Sequence, residues 1–326
     1  MSDETTTRIP RPGVDPEIAA SLAQLPAMPP LSADTLPMIR PYSSAPIEPR
    51  LDGRRVRRTE ATVRGHDGVE LPITVLAPEE RTGPAPGVLW LHGGGMVMGD
   101  RFSQIDIPLE WLDELGAVVV TVDYRLAPEA TGTTPVEDGY AALVWLAEHC
   151  EELGVDPDRL IVAGTSAGGG IAAGVTLLAR DRATLDIAAQ VLICPMLDHR
   201  GGTTSTRQYP APAIWSRESN EFAWGAVLDG VPAEDVPVYV SPSTAEDLSG
   251  LPTTFIDVGS AEVFRDEDHE YASRIWAAGG QAELHVWAGG THGFDAMAPT
   301  TAIARAARTA RTAWLRRVLD AATPEG

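Results

Sequence analysis

The chain reads as an α/β domain with a mostly parallel central sheet and helices on both of its faces. Two observations predict this. Short β-branched runs, at Glu70 to Val75, Val88 to Leu91, Ala117 to Val122, Leu160 to Ala163, Gln190 to Cys194, Thr253 to Val258 and Ala282 to Trp287, alternate with helical patterns. Several of these runs are apolar on both sides, as expected for strands covered above and below rather than on one face.

The elements follow in order. Residues 1 to about 55 are proline-rich and irregular, with a helical patch near Pro16 to Leu25. Pro135 to Cys150 is the clearest helix, because Val136, Tyr140, Leu143, Val144, Ala147 and Cys150 recur at helical spacing and so face a core. Asp266 and Glu267 open a helix that carries Tyr271, Ile275 and Trp276, where acidic side chains meet the positive end of the helix dipole. Ile303 to Leu319 reads as a final amphipathic helix. Between Asp198 and Asp247 the alternation breaks into Gly-Thr-Ser-rich sequence followed by Ala213-Ile214-Trp215 and Phe222-Ala223-Trp224.

Composition narrows the chemistry. The 326 residues, 44% hydrophobic, suffice for one large α/β core. No continuous apolar stretch marks the first thirty residues and no 18-residue apolar run occurs, so neither secretion nor membrane spanning is expected. Cys150 and Cys194 are expected as buried thiols, and a cytoplasmic location is the simplest reading. A net charge of −21 disfavours nucleic acid and anionic membranes. All 25 basic residues are arginine. Without lysine there is no Ser-Lys dyad, Schiff base or P-loop.

Gly164-Thr165-Ser166-Ala167-Gly168, between the apolar run Leu160 to Ala163 and a helix-forming stretch, is the most informative segment. A serine at the apex of a sharp strand-to-helix turn needs small neighbours so that helix and strand can approach, which makes Ser166 the candidate nucleophile. Upstream, Val88 to Leu91 leads into His92-Gly93-Gly94-Gly95, where main-chain N–H groups can converge on an oxyanion. Gly93 and Gly94, with Ala167, are the expected donors. Among seven histidines, His292 lies in a glycine-flanked loop after the last strand and is the candidate base. Asp257, Glu262, Asp266 and Glu267 compete for the carboxylate; Glu262, on the loop between strand and helix, is best placed. Gly164, Gly168 and Gly170 also fit a dinucleotide-binding turn, but such a loop normally opens a fold at its first strand, and the Tyr-x-x-x-Lys pair of short-chain dehydrogenases cannot be built here.

His92-Gly93-Gly94-Gly95, Tyr124-Arg125-Leu126-Ala127-Pro128-Glu129, Gly164 to Gly169 and Thr291-His292-Gly293-Phe294 resemble, in order and spacing, the blocks of the bacterial esterases of the hormone-sensitive lipase family, within the α/β-hydrolase superfamily. The resemblance covers residue 50 to the C-terminus. It implies an α/β-hydrolase fold with a helical cap, divided into an N-terminal part of the cap (1–55), a first core segment (56–197), a cap insertion (198–247) and a second core segment (248–326). Thr165 precedes the nucleophile where many members carry aspartate, and aligning on Arg265-Asp266-Glu267 places Glu262 at the catalytic acid. A branch with Gly-Thr-Ser-Ala-Gly and a glutamate acid is similar.

The resemblance further implies a carboxylesterase that cleaves short-chain acyl esters through Ser166, Glu262 and His292 and an acyl-enzyme, with no cofactor or metal. A small-molecule ester is the expected partner, with a homodimer through the edge strand near Glu283 to Trp287. Met96, where an aromatic residue is usual, together with Trp215 and Phe222, is a candidate pocket residue. Lactone or amide hydrolysis, and a non-catalytic scaffold, are the alternatives.

Overall fold

The structure is a computed structural model that describes residues 9–26 and 29–321. Of the N-terminal segment assigned to the cap, residues 1–8, 27 and 28 lie outside the described residues. Eight strands form one sheet: β1 (Val56–Arg64), β2 (Glu70–Pro78), β3 (Ala85–Leu91), β4 (Val118–Val122), β5 (Val155–Thr165), β6 (Ala189–Ile193), β7 (Thr253–Gly259) and β8 (Ala282–Trp287), in the spatial order β1-β2-β4-β3-β5-β6-β7-β8. β2 runs antiparallel to β1 and β4, and every other pairing is parallel.

Side-chain alternation splits the core into two layers. Leu89, Leu91, Val162, Leu192 and Ile256 point to one face, where the helices Thr134–Glu148, Ala167–Arg182 and Arg265–Ala277 cover them. Val88, Trp90, Ile161, Ala163, Val191 and Phe255 point to the other, under the helices Asp106–Leu115 and Ala302–Ala321. The topology places the C-terminal ends of β3, β5 and β7 and the loop after β8 at one rim, the usual place for a site in such sheets.

Some boundaries differ from the sequence expectation. β1 was not anticipated: its Val56-Arg57-Arg58-Thr59-Glu60-Ala61-Thr62-Val63 pattern is mostly polar because it is an edge strand with little to bury. β5 begins at Val155, ahead of the apolar run. Cys194 lies just past β6 with φ 38°, and both cysteines are free and buried. The helix in the first segment ends at Leu22.

That helix does not float. Ile18 packs with Phe294 and Ala298, just beyond His292, and Asp15 donates its N–H to Gly289. Tyr209 and Gln208, in the stretch between Asp198 and Asp247, hydrogen-bond Pro12 and Pro10, and Leu31 donates its N–H to Ser219. The first segment is therefore bound both to the rim and to the stretch between Asp198 and Asp247, whose longest helix is Arg217–Leu228. Among the described residues no helix is long and apolar enough to cross a membrane.

Candidate active site

Ser166 stands between β5 and the helix Ala167–Arg182 with φ 56° and ψ −122°, a region that costs a non-glycine residue free energy and persists only where neighbours enforce it. The enforcement is visible: its N–H donates to Ile193 at 2.7 Å and its carbonyl accepts from Met196 at 3.0 Å. The following helix approaches β3 so closely that a Cβ on Gly168 would lie 2.1 Å from the Leu91 carbonyl oxygen. Only glycine fits there.

Three loops converge on this serine. Ser166 Oγ lies 2.9 Å from His292 Nε2, and His292 Nδ1 lies 2.6 Å from Glu262 Oε2. Glu262 Oε1 accepts the Gly259 N–H at 3.2 Å, which fixes the carboxylate across the end of β7. All three side chains are buried. The other carboxylate candidates lie elsewhere: Asp257 pairs with Arg311, Asp266 with Arg265, and Glu267 accepts the Leu197 and Asp198 N–H groups. His285 faces Glu283 on β8. Donor atoms of Cys194, Glu262 and His292 lie within 4.8 Å of one another, but the imidazole and carboxylate are already engaged with each other and with Ser166.

The glycine loop corrects the expected donor set. The Gly93 N–H does not stand free; it donates to Gln104 Oε1 at 2.9 Å. The Gly93 carbonyl accepts from His92 Nδ1 at 2.8 Å, and the Gly94 carbonyl accepts from Val97 and Met98 N–H, each at 3.1 Å. In a trans peptide the N–H points opposite to the carbonyl before it, so these bonds turn the Gly94 and Gly95 N–H groups the other way, where they have no partner among the described residues. Gly95, not Gly93, thus joins Gly94 as an available amide, with Ala167 at the helix start. Gly94 has φ 128°, and a Cβ on it would lie 2.0 Å from the Met98 carbonyl oxygen. His92 is fully buried and stacked on Tyr124; burial holds its imidazole below its usual pKa, and because the Gly93 carbonyl can only accept, Nδ1 is the donor.

The three candidate pocket residues part company. Trp215 packs its ring edge over Gly95, with its centroid 6.1 Å from that of His292 and Nε1 donating to Asn220. Phe222 is half-buried against the main core. Met96 is buried in that core, with φ 59° and its carbonyl accepting from Ala127. Phe264 stands edge-on to His292, with centroids 5.2 Å apart, and was not anticipated.

A buried ion network lies behind the His292 loop. Arg311 bridges Asp257 on β7 and Asp295, three residues after His292, and Arg308 ties Asp295 to Asp106 and Glu110. Burial raises the Asp257 carboxyl in spite of Arg311. Burial acts on Asp295 too, but Arg311 and Arg308 together hold it below the usual carboxylate range.

Comparison with known proteins agrees with this architecture. Residues 88–296 match the family described as alpha/beta hydrolase fold. Carboxylesterase NlhH of Mycobacterium tuberculosis is 33% identical over 268 residues, 81% of this chain and 84% of that protein. Ethyl acetate hydrolase of Pseudomonas putida is 30% identical, over 73% of this chain and 76% of its own. Among solved structures, a bacterial heroin esterase superposes with a TM-score of 0.88 at 38% identity, covering 94% of this chain and 98% of that one. With the elbow, the glycine loop and the sheet order in place, the chain belongs to the α/β-hydrolase family, in its hormone-sensitive-lipase-like group of carboxylesterases.

Proposed function

We propose that this protein hydrolyses short-chain carboxylic esters through Ser166, His292 and Glu262. The observation that carries the reading is the continuous relay from Ser166 Oγ to His292 Nε2 at 2.9 Å and from His292 Nδ1 to Glu262 at 2.6 Å. His292 takes the serine proton as Oγ attacks the ester carbonyl carbon, and Glu262 orients and stabilises the resulting imidazolium. The oxyanion receives N–H groups from Gly94, Gly95 and Ala167. The C–O bond to the alcohol then breaks, and the alcohol leaves with the proton held by His292. Water, deprotonated by His292, cleaves the acyl-enzyme to the carboxylic acid and restores Ser166. Each amide donor lost at such a site costs about 10²–10³ in turnover.

A short acyl chain is favoured because Trp215 lies over Gly95 beside His292, and because a relative is named for the hydrolysis of ethyl acetate. Turnover of p-nitrophenyl acetate, butyrate, octanoate and laurate tests this: kcat/KM falls as the chain lengthens. Equal or rising efficiency toward laurate would contradict the size limit. A cytoplasmic protein that dimerises along β8 completes the reading; Val286 on that strand is exposed, as is Trp276 on the preceding helix, whose Nε1 donates to the Ala282 carbonyl. Light scattering after size exclusion checks the dimer, and a monomer at micromolar concentration would remove it.

A further inference from the structure

The amide that the oxyanion site does not use points to a residue outside every sequence motif. The His92–Gly93 peptide is gripped at both ends: the His92 carbonyl accepts the Tyr124 hydroxyl at 2.7 Å, and the Gly93 N–H donates to Gln104 Oε1 at 2.9 Å. Gly93 adjoins the nucleophile, since a Cβ built on it would lie 3.3 Å from both Ser166 Cβ and Gln104 Oε1.

Gln104 is itself held in a left-handed conformation, φ 52°, at the end of a turn in which Asp100 N–H donates to Ser103 Oγ and Trp90 Nε1 donates to the Ser103 carbonyl. A non-glycine residue just before the helix Asp106–Leu115 keeps that conformation only where its surroundings hold it.

We propose that Gln104 is a positioning residue for the oxyanion site. Its carbonyl oxygen engages the Gly93 N–H, so that the next two peptides present Gly94 and Gly95 toward the nucleophile. The inference rests on the acyl-transfer reading above. Without that acceptor, the Gly93 N–H beside Ser166 lacks a partner, and the loop can rotate to satisfy it at the expense of the other two amides. The tetrahedral intermediate suffers more than the bound ester, because the amides are aimed at charge that develops only during reaction.

The test compares wild type, Gln104→Leu and Gln104→His by steady-state kinetics on p-nitrophenyl butyrate, inhibition by a trifluoromethyl ketone that forms a hemiketal with serine, and thermal melting. Gln104→Leu removes the acceptor. In Gln104→His a neutral imidazole Nε2 reaches about where the glutamine amide stood. The expected result for Gln104→Leu is a kcat loss of roughly 10–100-fold with KM within about twofold, a matching rise in the ketone inhibition constant, and an unchanged melting temperature. Gln104→His recovers most of the lost turnover. A Gln104→Leu enzyme with wild-type kcat and ketone affinity would overturn the proposal, as would equal losses in both variants accompanied by lowered melting temperatures. Failure of the wild type to turn over any ester, or to react with a fluorophosphonate, would instead remove the acyl-transfer reading itself.

Discussion

His292 Nδ1 and Glu262 Oε2 stand 2.6 Å apart at a buried site, while the second oxygen of Glu262 is held by the Gly259 amide. The imidazole can therefore present only Nε2 to Ser166. Glu262→Gln keeps the shape but offers an amide in place of a full negative charge. The expected outcome is a kcat lower by about 10³–10⁴-fold with little change in KM, measured on p-nitrophenyl butyrate.

Trp215 limits the space over Gly95. Trp215→Leu keeps an apolar wall with less reach, and the ratio of kcat/KM for octanoate over acetate is expected to rise about tenfold, the scale at which a few buried methylenes discriminate substrates. An unchanged ratio would place the chain-length limit elsewhere.

Arg311 pairs with both Asp257 and Asp295 inside the fold. Arg311→Met leaves both carboxylates without their central partner and is expected to cost about 3–5 kcal/mol in urea unfolding at pH 7. Lysine cannot replace the planar fork that reaches two acids at once. Because the folded Asp295 carboxyl is lowered, its contribution is present above the unfolded carboxylate pKa and is lost as pH falls through the folded value. The gap between wild type and Arg311→Met accordingly narrows in acid.

Asp268 works in the opposite direction. Both its oxygens are buried and lack a hydrogen-bond partner among the described residues; burial, followed by the nearby Glu267 and Glu262, pushes its pKa well up. A raised carboxyl contributes stability that is present below its unfolded pKa and lost as pH rises through the folded one. Asp268→Asn cannot ionise, so it is expected to be more stable than wild type at pH 7. The advantage disappears near pH 3, and urea midpoints at the two pH values check both signs.

The fold was legible wherever burial wrote an unambiguous pattern. β3, β4 and β6 are covered on both faces, so their runs are almost purely apolar. β1 escaped because an edge strand buries one residue fully and leaves the rest partly or fully in water. Ser166 and His292 stood out as candidates because each sits on a glycine-flanked turn, whereas Glu262 was one of four carboxylates and was singled out by its loop position and by the alignment on Arg265-Asp266-Glu267. The donors in the glycine run were not, since which N–H stays free depends on where Gln104, His92, Val97 and Met98 direct their hydrogen bonds. Gly95 lay in that run, and only peptide-plane orientation separates it from Gly93. Nothing in the local sequence of Gln104 signals its contact, which forms across a turn. The link from Arg311 to the His292 loop is similarly tertiary.

The most direct test of the central claim is intact-mass analysis after exposure to a fluorophosphonate, on wild type and on Ser166→Ala, with ester turnover followed in the same samples. The account predicts one phosphonyl adduct on wild type with complete loss of turnover, and neither adduct nor turnover in Ser166→Ala. An adduct that persists in Ser166→Ala, or a wild type that remains active after labelling, would contradict it.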